Sequence, residues 1–286
     1  MATVVKRNPT ALASTSAEVV LAESAGDSGF ATTLAKGLVI LEAFDAGAAM
    51  LGNMELSART GIPRPTVARL THTLTELGYL RYDRDLAKYA LGARALRMVH
   101  PLLAGMRFRQ LARPLMQELA ESVRGTVSIG LLDGTVAIYV ESARSGDVGP
   151  HVPDIGMPIS VVRTAMGRAM AAILPPAEAS LLEERIEAER PDHWAAYRDL
   201  YRDGLRQCAG RGFCTCFGEY METIHAVAAP LFTASSLAQT FSINCGIPAF
   251  RLQPGQLEGE IGPRIRALAA TIRSLAGAPE PVFTSL

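Results

Sequence analysis

Apolar residues recur at three- and four-residue intervals early in the chain. Leu34, Leu38, Leu41 and Phe44 keep that spacing, which predicts an amphipathic helix over 33–45. Asn53 is placed to cap a short second helix running to Thr60. Gly61 then stops it and supplies the left-handed residue that a sharp turn needs. Pro63 and Pro65 fit only the approach or first turn of a third helix. That helix carries Val67, Leu70, Leu74 and Leu77 on one face and ends at Gly78. The runs Tyr79–Tyr82 and Tyr89–Leu91 are short and strand-like, and the polar segment Asp83–Lys88 between them predicts a hairpin. The stretch 93–105 is again helical in pattern and links this region to the next.

Beyond it, the pattern predicts a helix over 107–122 and strands over 126–132 and 135–142 around the turn Asp133-Gly134. An extended stretch over 147–159 holds Pro150, Pro153 and Pro158. A helix over 164–173 is broken by Pro175-Pro176. Helices over 177–189 and 195–210, strands over 212–218, 224–231 and 238–245, and a final helix over 254–276 follow. Meandering strands with helices gathered around them predict an α+β protein rather than a parallel βαβ sheet.

The length, 286 residues, suits about two domains at roughly 100–200 residues each. Hydrophobic residues make up 49% and charged residues 20%, which excludes a wholly disordered chain. Lys+Arg 28 balance Asp+Glu 28, so no whole-chain field points to an acidic partner. The balance hides a split: residues 31–100 carry nine Lys or Arg against six Asp or Glu, and the longer remainder is mildly acidic. The four cysteines are too few for a disulfide scaffold and form no C-x-x-C pair, so reduced thiols in a cytoplasmic protein fit best. Glu18 and Glu23 spoil any signal peptide, and no run of 18 apolar residues exists to span a bilayer.

Helix, glycine turn, helix and basic hairpin form the layout of a winged helix-turn-helix. The third helix would enter the major groove and present Arg64, Thr66, Arg69 and Thr73. Arg pairs bidentately with guanine, and Thr contacts phosphate or a thymine methyl. Arg81, Arg84 and Lys88 on the hairpin would reach phosphates. The bland alternative is a set of solvated charges on a small helical domain; the ordered elements and local basic charge favour double-stranded DNA.

Particular segments also resemble the IclR family of bacterial transcription regulators. They are 33–45 (TLAKGLVILEAFD), 55–70 (ELSARTGIPRPTVARL), 74–82 (LTELGYLRY), 89–92 (YALG), 111–121 (LARPLMQELAE), 163–169 (RTAMGRA), 212–220 (GFCTCFGEY) and 225–231 (HAVAAPL). The similarity runs from about 31 to 276 with the motifs in family order. Residues 1–29, rich in Ala, Ser, Thr and Gly and without an aromatic, read as a flexible tail. The resemblance implies a winged helix-turn-helix over 30–92, a linker helix over 93–106 and a GAF-like effector-binding domain over 107–278 with an antiparallel sheet flanked by helices, which leaves a tail over 279–286. It further implies a homodimer or homotetramer, which on DNA would read an inverted-repeat operator. The apolar positions Leu96, Val99 and Leu103 of the linker helix offer a face for pairing. Pro65 stands where family members often have Ser, and Ser160-Val161-Val162-Arg163 replaces a frequent Pro-Leu-His-Ala.

The resemblance also implies a small-molecule pocket in the C-terminal domain. Carried over by position, its lining is Arg163, Thr164, Ala165, Met166, Cys216, Ala226, Ser242 and Asn244. A helix starting near Thr164 would offer free backbone N–H groups to an anion, and Arg163 beside it would hold a carboxylate. A small organic acid, aromatic ones included, is the expected effector. Arg163 has an alternative as a surface or intersubunit ion pair. Cys214 and Cys216 alternate onto one strand face, where packed small hydrophobes compete with a redox or metal sensor that also uses Cys245 or His225. His151 and His193 show no ligand spacing. No G-x-S-x-G, P-loop, H-E-x-x-H or Rossmann glycine run occurs, and Asp133 and Glu141 lack a placed partner. The expectation is a regulator with no catalytic residues, cofactor or bound metal, whose partners are DNA and a small molecule rather than a membrane.

Overall fold

The computed structural model describes residues 28–146, 153–234 and 239–284. The expected N-terminal tail lies outside them except for its last two residues, as does 147–152 of the expected extended stretch. The chain divides into two compact units between Gly105 and Met106.

The first unit holds α1 (Thr32–Glu42), α2 (Asn53–Thr60), α3 (Arg64–Glu76), the hairpin of β1 (Leu80–Asp83) and β2 (Lys88–Leu91), and α4 (Ala93–Gly105). Ile40, Leu51, Leu56, Ile62, Val67 and Leu80 form its core, with Leu41, Phe44, Leu70, Leu74 and Tyr89 packed around them. The helix expected over 33–45 stops at Glu42, and its buried residues are Gly37, Val39 and Ile40. Leu34 and Leu38 are exposed. The run Gly37–Leu41 is apolar on every side, so spacing alone does not select the inward face.

Asn53 is the first helical residue of α2 and not its cap; Gly52 takes that place. Glu55, three residues on, accepts the Gly52 N–H at 2.7 Å. Asn53 Oδ1 instead accepts the Thr71 hydroxyl at 3.1 Å, which lets Thr71 be buried within α3. Leu77 lies one residue past α3 and is exposed, so the inward stripe is Val67, Leu70, Thr71 and Leu74. Gly61 takes φ +67°, which permits the tight turn between α2 and α3. The Leu51 and Tyr89 backbones exchange hydrogen bonds of 2.9 and 2.8 Å and fasten the hairpin to the helices.

The second unit begins with α5 (Arg107–Val123), β3 (Thr126–Asp133), β4 (Val136–Arg144) and β5 (Pro158–Ser160). Three helices follow: α6 (Ala165–Ala171), α7 (Pro176–Glu189) and α8 (Pro191–Arg211). It closes with β6 (Cys214–Met221), β7 (Ile224–Ala234), β8 (Gln239–Pro248) and α9 (Gly262–Ala276). A π-turn over Leu257–Ile261 precedes α9, so the last α-helix starts later than the expected 254. The strands pair antiparallel in the order β5-β4-β3-β8-β7-β6. This is an α+β architecture, an antiparallel sheet with helices on both faces.

Alternation along the strands separates those faces. Phe241, Ile243 and Cys245 turn toward α5 and α9, where Phe108 meets Phe232 and Phe241 at 5.1 and 5.3 Å. Buried Glu141 accepts from Arg109 at 2.7 Å and Arg113 at 2.6 Å, tying α5 to β4. Ser242 and Asn244 turn toward α6, and the Ser242 hydroxyl donates to the Met166 carbonyl at 2.8 Å. A Cβ on Gly130 would stand 2.3 Å from Met166 Sδ, so the ends of the Met166 and Met170 side chains fill the space over this glycine.

Candidate functional site

Two places gather the chemistry. In the first unit, Pro65 occupies the second position of α3, where its missing N–H costs nothing. Val67 and Thr71 point inward, so Arg64, Arg69, His72 and Thr73 are left exposed, with Thr66 half-buried. Among the described residues the side chains of Arg64 and Arg69 make no hydrogen bond or ion pair. The Thr73 hydroxyl donates to its own helix at the Arg69 carbonyl, 3.0 Å away. Arg81 and Arg84 are exposed on the hairpin.

Lys88 differs from the other basic residues named from the sequence. Its Nζ lies 2.9 Å from Glu55 Oε1 and ties the hairpin to the start of α2. The Gly52 N–H, and then Lys88, hold the Glu55 carboxyl below its ordinary range. His72 was not singled out by the sequence reading, although it follows Arg69 by three residues and shares its exposed face.

In the second unit the residues cluster where α6 meets the inner sheet face. Thr164 caps α6: its hydroxyl oxygen accepts the Gly167 N–H at 3.1 Å and donates to the Ser160 carbonyl at 2.7 Å. One of the N–H groups expected to face a ligand is therefore satisfied internally. Half-buried Arg163 donates from Nε to the Glu219 carbonyl at 2.7 Å and from Nη2 to the Tyr220 carbonyl at 3.2 Å. Its guanidinium lies 5.1 Å from the Tyr197 ring centre and 5.9 Å from that of Tyr220. Nη1 makes no hydrogen bond among the described residues.

Arg163 belongs to a set. The outer edge of β6 has no partner strand among the described residues. Arg211 donates to the Phe213 carbonyl, Arg168 to that of Thr215, and Arg163 to those of Glu219 and Tyr220. Side chains thus occupy an edge that would otherwise be open to a further strand. Arg168 is 1% exposed and also contacts Glu219 Oε1 at 3.3 Å. Burial raises the Glu219 carboxyl, but Cys216, its own backbone and Arg168 outweigh it and hold the group below its ordinary value.

Ala165 and Met166 are fully buried. The Cys214 and Cys216 thiols donate to the Ala165 and Arg163 carbonyls, both at 3.3 Å. Ala226 is half-buried opposite Cys216. Asn244 lies against Tyr139, whose phenol is pushed up chiefly by burial and next by Tyr220, with Asn244 opposing. Tyr139 and Tyr220 pack with Met157, Met166 and Met170. The sequence reading did not name Tyr139, Arg168, Glu219 or Tyr220. Glu219 and Tyr220 do fall within the GFCTCFGEY segment.

All four cysteines are free and buried. Burial pushes the Cys216 and Cys245 thiols up to about 12, and Cys214 and burial push Cys208 up, which disfavours thiolate chemistry. Among the described residues no three His, Cys, Asp or Glu side chains gather to hold a metal ion. His193 is half-buried, 3.4 Å from the Ser160 hydroxyl, and burial, Arg190 and Arg163 lower its imidazole below the ordinary value. His151 lies outside the described residues. No described helix is long and apolar enough to cross a membrane.

Comparison with known proteins agrees with both units. The IclR helix-turn-helix domain matches residues 33–84, and the bacterial transcriptional regulator IclR C-terminal domain matches residues 100–274. An HTH-type transcriptional regulator of Comamonas testosteroni is 27% identical over 88% of this chain and 91% of its own length. The crystal structure of an IclR family transcriptional regulator from Brucella abortus is 34% identical, with a TM-score of 0.79 over 87% of this chain and 94% of that one. An IclR homolog from Microbacterium hydrocarbonoxydans, complexed with 4-hydroxybenzoate, shares the fold at 18% identity, with a TM-score of 0.65 over 85% of this chain and 99% of that one.

Proposed function

The chain belongs to the IclR family of transcriptional regulators, and from that premise we propose how it reads its operator and its effector. It is a DNA-binding regulator and not an enzyme. The exposed face of α3 enters the major groove with Arg64, Thr66, Arg69 and Thr73. Arg69 pairs with a base, and Arg81 and Arg84 hold phosphates beside the groove. Lys88 holds the hairpin in place through Glu55. The observation that carries this reading is that Arg64 and Arg69 are both exposed on α3 and that their side chains have no partner among the described residues.

Two copies bind an inverted repeat, because one module contacts too few bases for specificity. Helix α4 supports their pairing. It buries no residue, and Leu96, Met98, Val99 and Leu102 stand exposed along it. The assembly is a homodimer or homotetramer.

A small organic acid binds against Arg163, Thr164, Ala165 and Met166, with Cys216, Ala226, Ser242 and Asn244 across the inner sheet face. Arg163 Nη1 supplies the positive end, and Tyr197 and Tyr220 flank it with rings that suit an aromatic ligand. The 4-hydroxybenzoate of the Microbacterium protein is an acid of this kind. Calorimetric titration of 4-hydroxybenzoate into the wild type and Arg163→Ala tests the arrangement. At least a tenfold loss of affinity is expected, and unchanged affinity would place the carboxylate elsewhere.

A further inference from the structure

The stretch expected as a tail from 279 is seated on the second unit as far as Thr284. Gly277 ends α9 in the left-handed region at φ +63°, and the Ala278 N–H returns to the Arg273 carbonyl at 3.0 Å. Pro279 cannot continue a helix, and Pro279 and Pro281 bias the residues before them to extended backbone. Three contacts then follow along the segment. Arg273 Nη2 donates to both oxygens of Glu280, at 3.0 and 3.2 Å. Phe283 packs against the buried cluster that contains Ala172, Leu174, Leu182 and Trp194. The Thr284 N–H donates to the Ala172 carbonyl at 2.9 Å, and its hydroxyl donates to the Leu174 carbonyl. Val282 lies between these contacts and is 84% exposed.

The seat has requirements of its own. Ala172 caps the C-terminal end of α6, where carbonyls lack an intrahelical donor. Arg273 is 7% exposed, and its Nε is buried without a partner. Its Nη1 serves the Pro230 carbonyl of β7, and Glu280 is its one acidic partner among the described residues. Leaving so deep a guanidinium without a carboxylate is strongly destabilising. The seat therefore suits a carboxylate, then an apolar ring, then a backbone N–H beside a hydroxyl, in that order along an extended chain. What holds the segment is slight beside the sheet: the Glu280 side chain is 81% exposed, and Phe283 is only half-buried. Such a segment opens locally without global unfolding, and its two prolines lower the ordering needed to return.

We propose that residues 278–284 are a detachable clasp, and that their seat, between Arg273 and the C-terminal end of α6, is a peptide-recognition site. It takes an extended segment with an acidic residue three positions before an aromatic one and a hydroxyl residue directly after. In the intact chain its occupant is the chain's own segment. Release leaves the last carbonyls of α6 unpaired and loosens that helix before the sheet.

Hydrogen–deuterium exchange of the full chain tests the clasp. Residues 278–284 should open about a hundredfold faster than β7 and β8. Phe283→Ala should speed exchange over 165–174 about tenfold and leave those strands unchanged. Exchange of 278–284 at the rate of the strands would make the segment part of the core and overturn the proposal. A fluorescein-labelled peptide with the sequence of residues 278–284 tests the site by anisotropy. It should bind a chain ending at Gly277 about tenfold or more tightly than the full chain, whose seat is filled, and should slow exchange over 165–174 again. Phe283→Ala and Glu280→Ala in the peptide should each weaken binding about tenfold. A folded shortened chain that does not bind the peptide, binds no better than the full chain, or binds both altered peptides as well as the original overturns the recognition site. If the shortened chain does not fold, the peptide is titrated into full-length Phe283→Ala. Its weakened clasp should admit the peptide about tenfold more readily than the wild type, and equal binding by the two overturns the proposal.

Discussion

Arginine does opposite work in the two units. On α3, Arg64 and Arg69 project from a helix whose other side is buried, and no described residue engages their guanidinium groups. Around β6, Arg163, Arg168 and Arg211 turn inward onto carbonyls of the chain itself. The first set keeps its donors for a partner, and the second spends most of them on its own fold. A basic residue is evidence of recognition only after its donors have been accounted for.

The largest expected effect follows from the inward set. Arg168→Met removes a nearly inaccessible guanidinium that serves the Val162 and Thr215 carbonyls and Glu219. Removing such a buried guanidinium costs about 3–5 kcal/mol, because the Val162 and Thr215 carbonyls and Glu219 all lose a donor at once. Chemical denaturation of the two proteins measures the loss. A change below about 1 kcal/mol would match an exposed pair and would deny Arg168 the role of a brace.

A smaller effect is expected at α4. Leu96→Asp places a charge on the exposed apolar face proposed to pair two copies. Analytical ultracentrifugation should show a shift toward monomer, and operator affinity should fall about a hundredfold as one half-site is lost, within the range linkage of two modules supplies. An unchanged mass would move the dimer contact off α4.

The smallest concerns Glu55. Its carboxyl is depressed in the folded chain by Gly52 and Lys88. A depressed folded value gives stability that is present above the unfolded value and lost as pH falls through the folded one. Glu55→Gln should therefore lower the melting temperature slightly at pH 7 and leave it nearly unchanged in acid below the depressed folded value, where the wild-type group is also protonated. An equal loss at both pH values would trace the effect to packing. Lys88→Ala should likewise leave the salt dependence of DNA binding unaltered, since Lys88 serves Glu55; a slope reduced by about one would return it to a phosphate.

Much of the first unit was legible because local signals agreed there. Gly61, Pro63, Pro65 and Gly78 mark turns and helix starts through backbone geometry alone, and α2, α3 and the hairpin fall where those signals put them. Legibility failed where the signal was symmetric, as in α1, or reciprocal, as at Gly52, whose cap is supplied by the side chain of Glu55. In the second unit the positions of the main strands, their antiparallel sheet and the Arg163–Thr164 junction were within reach of pattern and resemblance, whereas the strand order was not. The partners of that junction were not. Glu219 and Tyr220 lie more than fifty residues from Arg163, and no local pattern connects them.

The central claim is that the outward arginines of α3 read base sequence, and Arg69→Ala tests it most directly. Fluorescence anisotropy would compare an operator duplex, selected by the wild-type protein from random sequences, with a scrambled duplex at several salt concentrations. The account predicts that Arg69→Ala weakens operator binding by about 1–3 kcal/mol and scrambled binding far less, so that the preference between them narrows. An equal loss on both duplexes, with the preference retained, would show that Arg69 touches only phosphate and would contradict the claim.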